Sequence, residues 1–431
     1  MALENPIPLN RKVKYFAAAV NDALPYIKAS RSYLADQLSG KKYGQVYFFY
    51  LPDPGTAEVG TQELDISKMN KSVFERAIPA MVMSGKTAVD LTAWNKMQDL
   101  EDFVKEIASP RGRRLASEIE KDIIAKNVWI SDNAFVVPKD ANGNSGLSAG
   151  AFQLLASKLR GIKAAGKLVG FAHPNVFGEA AVKFLSLFIP AEIQSRVYND
   201  VYLGEYAKTS WIEENFMPTL SLSAAPTITE VSFQEPSKTG GIASTDGIIT
   251  VKGTNLKNGI PFTATYTDPI DSTEKSYGTV DLNCMAVPGE KKVFILTDVN
   301  AEGTEGRFAG TFRFSSNGTT AEGALIENTN PSLLGDQAAL DHDKFTLLDG
   351  ITVGKDYIVM QARDQDWLEF DSAKFPDLPG CENGSSDVGG ISVQTAEWGD
   401  VNTRNSIMRI DVPYVAVGID ARLSRICYIE I

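Results

Sequence analysis

The sequence predicts an α+β fold interrupted by a β-rich insertion, and three observations carry that reading. Apolar stripes of helical period crowd residues 100–185 and alternate there with a short apolar strand, KLVGFA. From about Pro226 to Asp341 helix signals nearly vanish, and short β-type runs alternate with Gly, Asn, Asp and Pro turns. Beyond them the chain is again strand-rich, and its last residues, RICYIEI, read as a strand built into a sheet.

A chain of 431 residues exceeds what one ordinary core needs, which predicts two or three compact units or one fold with a large insertion. Hydrophobic residues at 43% and charged residues at 22% lie in the globular range. The formal net charge of -12 repels nucleic acid and anionic membrane as a whole, so any DNA contact is expected to be local and weak. Cys284, Cys381 and Cys427 are widely spaced and form no CxxC, which argues against a disulfide framework and against a zinc site. The first residues, MALENPIPLNRKVKYFAAAVNDALPYI, lack the apolar core of a signal peptide, and no apolar run reaches the roughly 18 residues of a membrane span. A product made and used in the cytoplasm is expected.

Residues 1–42 read as a basic arm, with Arg11, Lys12, Lys14, Lys28, Arg31, Lys41 and Lys42 against Glu4, Asp22 and Asp36. A short amphipathic helix over Tyr15–Leu24 is predicted to stop at Pro25. The arm is either solvated or ordered on a neighbouring subunit. Residues 43–91 place a strand, GQVYFFYL, before a polar stretch and a second apolar run from Val73 to Thr92, together a long two-stranded loop. Such a ribbon buries too little apolar surface to offset its ordering entropy, so it needs something to lie on.

In residues 92–140, QDLEDFVKEIA puts Leu100, Phe103, Val104 and Ile107 on one helix face. Ser109-Pro110 then predicts an N-cap and first position for a second helix to about residue 127, with Leu115, Ile119 and Ile123 as its stripe. Residues 141–225 predict a helix over 148–164 with Phe152, Leu155, Leu159 and Ile162 inward, the strand KLVGFA, and a helix opened by His173-Pro174. Residues 226–341, with GIITVKG, PFTATYT, KKVFILT and GTFRFSS, predict a self-contained β-barrel or sandwich inserted in the first fold. Residues 342–431 return to it through GISVQTAEW, SIMRIDVPYVAVGI and RICYIEI.

Motifs of chemistry are sparse. Gly146-Leu147-Ser148-Ala149-Gly150 matches G-x-S-x-G, but a nucleophile elbow needs a strand directly before the serine, and DANGNS is a polar turn. Ser148 as a helix N-cap accounts for it. A triad would have to draw on His173 or His342, each explained as loop chemistry. Asp341-His342-Asp343 could ligate a metal but has no second cluster to complete a site. Gly85-Lys86-Thr87 ends like a phosphate loop, yet Ala80 stands where the first glycine belongs. Asp364 and Asp366 read as a solvated turn.

Three stretches in this order carry a family resemblance: AMVMSGKTAVDLTAWNKMQDLEDFVKEIASPRGRRLASEIEKDIIAKN; KLVGFAHPNVFGEAAVKFL with SWIEENFMPTLSLSA; and GISVQTAEWGDVNTRNSIMRIDVPYVAVGI. Over residues 40–225 and 345–431 the chain resembles the major capsid proteins of tailed bacteriophages, in particular the short-tailed (podovirus) branch whose coat proteins carry an inserted β-domain. The resemblance implies an N-arm (1–42), an extended loop (43–91), a peripheral domain with its spine helix (92–140), an axial domain (141–225), an insertion (226–341) and a return to both domains (342–431). GIITVKGTNLKNG also resembles a strand pair of immunoglobulin-like domains, which leaves barrel and Ig-like insertion both open.

The resemblance further implies a subunit without catalysis, cofactor or metal, assembled in a bacterial cytoplasm into hexamers and pentamers of an icosahedral virion shell around double-stranded DNA. Scaffolding, portal and decoration proteins are its implied partners, and the DNA is touched weakly and without sequence preference. Assembly contacts are expected at Arg11, Lys12 and Lys14 of the arm, at Glu58, Glu63, Asp65, Lys68, Lys71 and Arg76 of the ribbon, and at Arg113 and Arg114 of the spine helix. A secreted or surface β-domain binding protein is the alternative, and a serine hydrolase using Ser148 a further one.

Overall fold

Apolar residues at helical spacing bury one side of each long helix, and strands supply most of the remaining core, in this computed structural model. The structure describes residues 9–30, 45–50, 76–91, 103–164, 166–184, 202–234, 238–239, 243–245, 248–267, 273–282, 286–309, 341–372, 377–399 and 406–431.

In chain order the elements are helices α1 (Leu9–Asp22) and α2 (Pro25–Lys28), strands β1 (Gln45–Tyr50), β2 (Arg76–Met81) and β3 (Met83–Leu91), helix α3 (Ser109–Asn127), β4 (Ala134–Val137), α4 (Ala149–Gly161), β5 (Leu168–Ala172) and α5 (Pro174–Phe184). Strands follow: β6 (Tyr202–Tyr206), β7 (Thr209–Glu213), β8 (Thr219–Ser221), β9 (Thr227–Gln234), β10 (Lys238–Thr239), β11 (Ala243–Thr245), β12 (Ile248–Thr254), β13 (Pro261–Thr267) and β14 (Glu274–Ser276). Next come β15 (Gly278–Val280), β16 (Ala286–Lys291), β17 (Phe294–Thr297), β18 (Glu305–Phe308), β19 (Phe345–Leu347) and β20 (Asp356–Asp364). The last are β21 (Leu368–Ser372), β22 (Glu382–Val388), β23 (Ile391–Gly399), β24 (Ser406–Gly418) and β25 (Ser424–Glu430).

The chain divides into two compact units: 1–47 with 79–124 and 368–417, and 48–78 with 125–367 and 418–431. The first holds a five-stranded sheet in the order β21-β24-β23-β22, with β3 also on β24. Strand β3 pairs with β24 along its whole length, from Met83 opposite Tyr414 to Leu91 opposite Ser406. The predicted extended loop therefore ends earlier than residue 91: β3 is sheet, and only β1 and β2 form the ribbon, extended by β11 and β10. The ribbon's polar tip lies outside the described residues.

Helix α1 lies on β22 and β23 with Val13, Phe16, Ala17 and Val20 fully buried. Each large apolar side chain so covered contributes about 1.5–3 kcal/mol, and Phe16 meets Phe103 edge to face at 5.9 Å. Residues 9–22 thus fold onto their own unit, where a solvated arm was one expectation. The helix is longer than the predicted Tyr15–Leu24, and Pro25 opens a further helical turn after ending it, since proline is tolerated where no N–H is needed.

The predicted break at Ser109-Pro110 is absent. Residues Val104–Ala108 form a π turn that runs straight into α3, with the Ser109 N–H donating to the Val104 carbonyl. A wider turn accommodates Pro110, which has no N–H and would otherwise press on the preceding turn's carbonyl. The predicted stripe Leu115, Ile119 and Ile123 is buried. Gly85 lets α3 approach β3, because a Cβ there would lie 2.6 Å from the Ile119 side chain.

The second unit is built on a seven-stranded sheet, β4-β25-β20-β5-β7-β6, with β8 also on β20. Strand β25 is buried throughout, parallel to β4 and antiparallel to β20, which is where an apolar strand such as RICYIEI belongs. Helix α4 packs on β20 and β25 with Phe152, Leu155, Leu159 and then Ile162 buried, and Phe152 stands edge-on to Trp211 at 4.7 Å. Gly170 makes room for that tryptophan, since a Cβ would fall 2.2 Å from its ring.

The insertion forms a second seven-stranded sheet, β14-β13-β17-β18-β12-β9, with β19 on β13. Among the described residues its path is open, ending at β14 and β9. Phe262, Phe294, Phe308 and Phe345 make its aromatic core, with Phe308 stacked on Phe345 at 5.1 Å. Phe345 belongs to β19, so the inserted sheet takes a strand from beyond residue 341. It is also tied to the central sheet of the same unit and is not self-contained. Tyr428 of β25 donates to the Gly259 carbonyl at 2.7 Å, and Arg422 donates to the Asp281 carbonyl at 3.1 Å.

Candidate functional site

Among the described residues, the sets that could perform chemistry either stay apart or, as with Asp341, His342 and Asp343, gather without a further ligand group. Ser148 has the extended backbone of an N-cap before α4, but its hydroxyl makes no cap bond, and Ser145 instead accepts from the Leu147 N–H at 3.1 Å. A groove of about 480 Å³ opens beside Ser148, walled by Phe135, Val137, Pro138 and Leu154 and lined by no histidine. A serine nucleophile needs a base within hydrogen-bond reach. His173 spends its Nδ1 on the Asn175 N–H at 3.2 Å, as expected of a residue that opens a helix.

His342 lies 3.3 Å from Asp341 and 3.0 Å from Asp343. Asp341 and Asp343 are exposed and His342 is half-buried, and Asp341 is already engaged in capping its own 3-10 turn through the Asp343 N–H. Lys86 sits in mid-strand opposite Asp411, in a segment with none of the backbone curl of a phosphate loop. Asp364 takes the Gly166 and Asp366 N–H groups, and burial pushes its carboxyl above the usual range. It is a loop clamp, not the solvated turn the sequence suggests.

The residues expected at assembly contacts fall into three groups. Glu58, Glu63, Asp65, Lys68 and Lys71 lie outside the described residues, and Arg76 is placed only as the first residue of β2, where it pairs in parallel with Ser244. Lys12 is turned inward: 6% exposed, it makes an ion pair of 3.1 Å with Glu397 of β23 and helps hold α1 on its sheet. Arg11 and Lys14 on α1 and Arg113 and Arg114 on α3 are exposed. The two helices touch where Gly112 meets the Phe16–Val20 backbone, a contact that a Cβ would push apart at 2.7 Å from Ala19.

Sequence reading missed a set of buried charges in the second unit. Arg425 pairs with Asp132 at 2.6 Å, and both side chains are fully buried. Arg422 pairs with Asp420 at 2.8 Å with both side chains 1% exposed. Arg363 is enclosed between the rings of Phe171 and Trp367, 5.0 Å from each centroid. Glu214, at the end of β7, accepts the Phe216 N–H at 2.9 Å, and desolvation pushes its carboxyl up to about 7. Charged residues are rarely buried unless paired, so their types alone point outward. The one available signal was the placing of Arg422 and Arg425 beside an apolar terminal strand.

No family model and no curated protein matches the sequence. Among solved structures the chain is similar to the capsid of Ralstonia phage GP4, at 6% identity and a TM-score of 0.46, covering 94% of this chain and 91% of that one. It is also similar to the capsid of the cyanophage P-SCSP1u, at 8% identity and a TM-score of 0.38 over 94% and 88% of the two chains. A third is the virus-like particle from Pyrococcus furiosus, at 9% identity and a TM-score of 0.35 over 97% of both.

Proposed function

We propose that this chain is the structural subunit of an icosahedral phage head, a major capsid protein that works through interfaces and performs no chemistry. The observation that carries the reading is the order of elements: a strand pair (β1, β2) extended to four strands by β11 and β10, a long helix (α3) exposed on one side, a sheet completed by distant segments (β3, β21–β24), a helix-covered central sheet, and an inserted β-sheet. That order is the one implied by the family resemblance of the sequence. Hydrolase chemistry is disfavoured by Ser148, which has no base beside it among the described residues.

In this reading the subunits form hexamers and pentamers that close around double-stranded DNA in the host cytoplasm. A scaffolding protein, a portal and a decoration protein are the partners to look for. The charged segment between β1 and β2, with Glu58, Glu63, Asp65, Lys68 and Lys71, is the part offered to a neighbouring subunit. Arg11, Lys14, Arg113 and Arg114 offer exposed positive charge to an acidic partner. Reversing the ribbon's charge with K68E and K71E is expected to move the protein from fast-sedimenting particles to free subunits or capsomers. Particles unchanged in yield and size would remove the ribbon tip from the assembly contact.

A further inference from the structure

On a chain of net charge -12, the helices of the first unit are a local exception. Across α1, α2 and residues 109–124 of α3, seven cations are exposed against only two carboxylates, Asp22 and Glu118. Arg111, Arg114 and Lys121 form an exposed row with Glu118 at i, i+3, i+7 and i+10 of α3, with Arg114 and Lys121 turned away from Leu115, Ile119 and Ile123 and Arg111 at the margin of that apolar stripe. Arg11 and Lys14, three residues apart, share the outward side of α1. None of these five side chains forms an ion pair with a described residue, in contrast to Lys12 and Glu397 on the inward side.

We propose that the outward faces of α1 and α3 are a docking surface for the phosphate backbone of double-stranded DNA. The proposal rests on the shell reading and deepens it, by naming the face of the subunit that meets the cargo. From Arg111 to Lys121 the stripe runs about 15 Å along the helix. One duplex strand carries a phosphate every ~3.4 Å of axis, so several phosphates fall within its reach. Among the described residues the face carries no exposed large apolar side chain; those described in the first unit are Met81, Met83 and Trp398, none of them on either helix. Protein partners are held mainly by apolar and aromatic anchors, whereas phosphates need only Arg and Lys. The absence of such anchors favours DNA over an acidic protein segment. The few cations, set on an acidic molecule, make the contact weak and indifferent to sequence, which suits a wall against which DNA must slide.

The test is fluorescence anisotropy of a labelled short duplex titrated with full-length protein between about 50 and 200 mM salt. The same titration uses the R111Q/R114Q/K121Q variant, whose exposed substitutions are nearly neutral in helix propensity. Circular dichroism checks the fold, and electron microscopy of both proteins records whether shells form. The expected result is wild-type binding that falls steeply with salt, and a variant whose slope of log affinity on log salt is smaller by about one per removed cation. Equal affinity and slope in the two proteins overturns the surface, and if shells form nonetheless the shell reading stands without it. Polyglutamate of matched charge that displaces the duplex as well as unlabelled DNA does also overturns it, in favour of an acidic protein partner. Wild-type subunits that bind DNA through these residues but never close into particles keep the surface and sink the shell reading.

Discussion

Glu214 shows how a single buried group sets a pH response. Its carboxyl is lifted by burial from an ordinary 4.5 to about 7. Below about pH 4.5 it is protonated in the folded and the unfolded chain alike. As pH rises toward 7 the unfolded chain ionises first, so stability falls across that window by up to roughly 3 kcal/mol and then levels off. Glu214→Gln removes this component, so urea midpoints of the variant should exceed the wild type's near pH 8 and approach them near pH 5. A constant difference between the two proteins across that range would refute the assignment. The Arg425–Asp132 pair predicts a larger loss: Asp132→Ala strands a fully buried guanidinium and should cost about 3–5 kcal/mol in thermal or urea unfolding. A loss below about 1 kcal/mol would mean that water reaches Arg425. Neither group was legible in the sequence, because burial of a charge depends on partners more than a hundred residues away, as Asp132 and Arg425 are.

At the scale of elements, local pattern was enough wherever one face is apolar. The stripe of α3, the inward residues of α4, the strand Leu168–Ala172 and the proline-opened α5 all lie where their periodicity places them. Pattern failed where tertiary packing decides. Ser109-Pro110 has the chemistry of a helix start, yet a π turn carries the helix through it. The run Val73–Thr92 reads as one arm of a ribbon, but its second half pairs with β24, over three hundred residues away. The insertion's end at residue 341 was missed because β19 is only three residues long and joins β13 through Phe345. Two substitutions probe these packings. Phe16→Ala should free α1 at a cost of about 3–5 kcal/mol, seen as faster amide exchange confined to residues 9–22 and the strands beneath. Gly85→Val should separate α3 from β3 and lower stability by about 1–3 kcal/mol, since its side chain has no space beside Ile119. Unchanged exchange or stability in either would contradict the packing described.

The whole molecule is an acidic chain, of net charge -12, with sparse catalytic motifs. Among the described residues no helix is long and apolar enough to cross a membrane, the acidic charge disfavours a sequence-reading role, and the order of elements suggested the shell. Of the residues expected at assembly contacts, only their exposure can be compared with the sequence. Lys12 is drawn inward by Glu397, which no local feature of the sequence announces, while Arg11, Lys14, Arg113 and Arg114 stand in solvent as their types suggest. A shell subunit must bury most of its contact area against copies of itself, so its oligomeric state tests the account most directly. The decisive measurement is electron microscopy of the expressed full-length protein, with and without a candidate scaffolding protein, after sizing by sedimentation. The account predicts closed particles or ring-shaped capsomers in at least one sample, whereas a monodisperse monomer under every condition would contradict it.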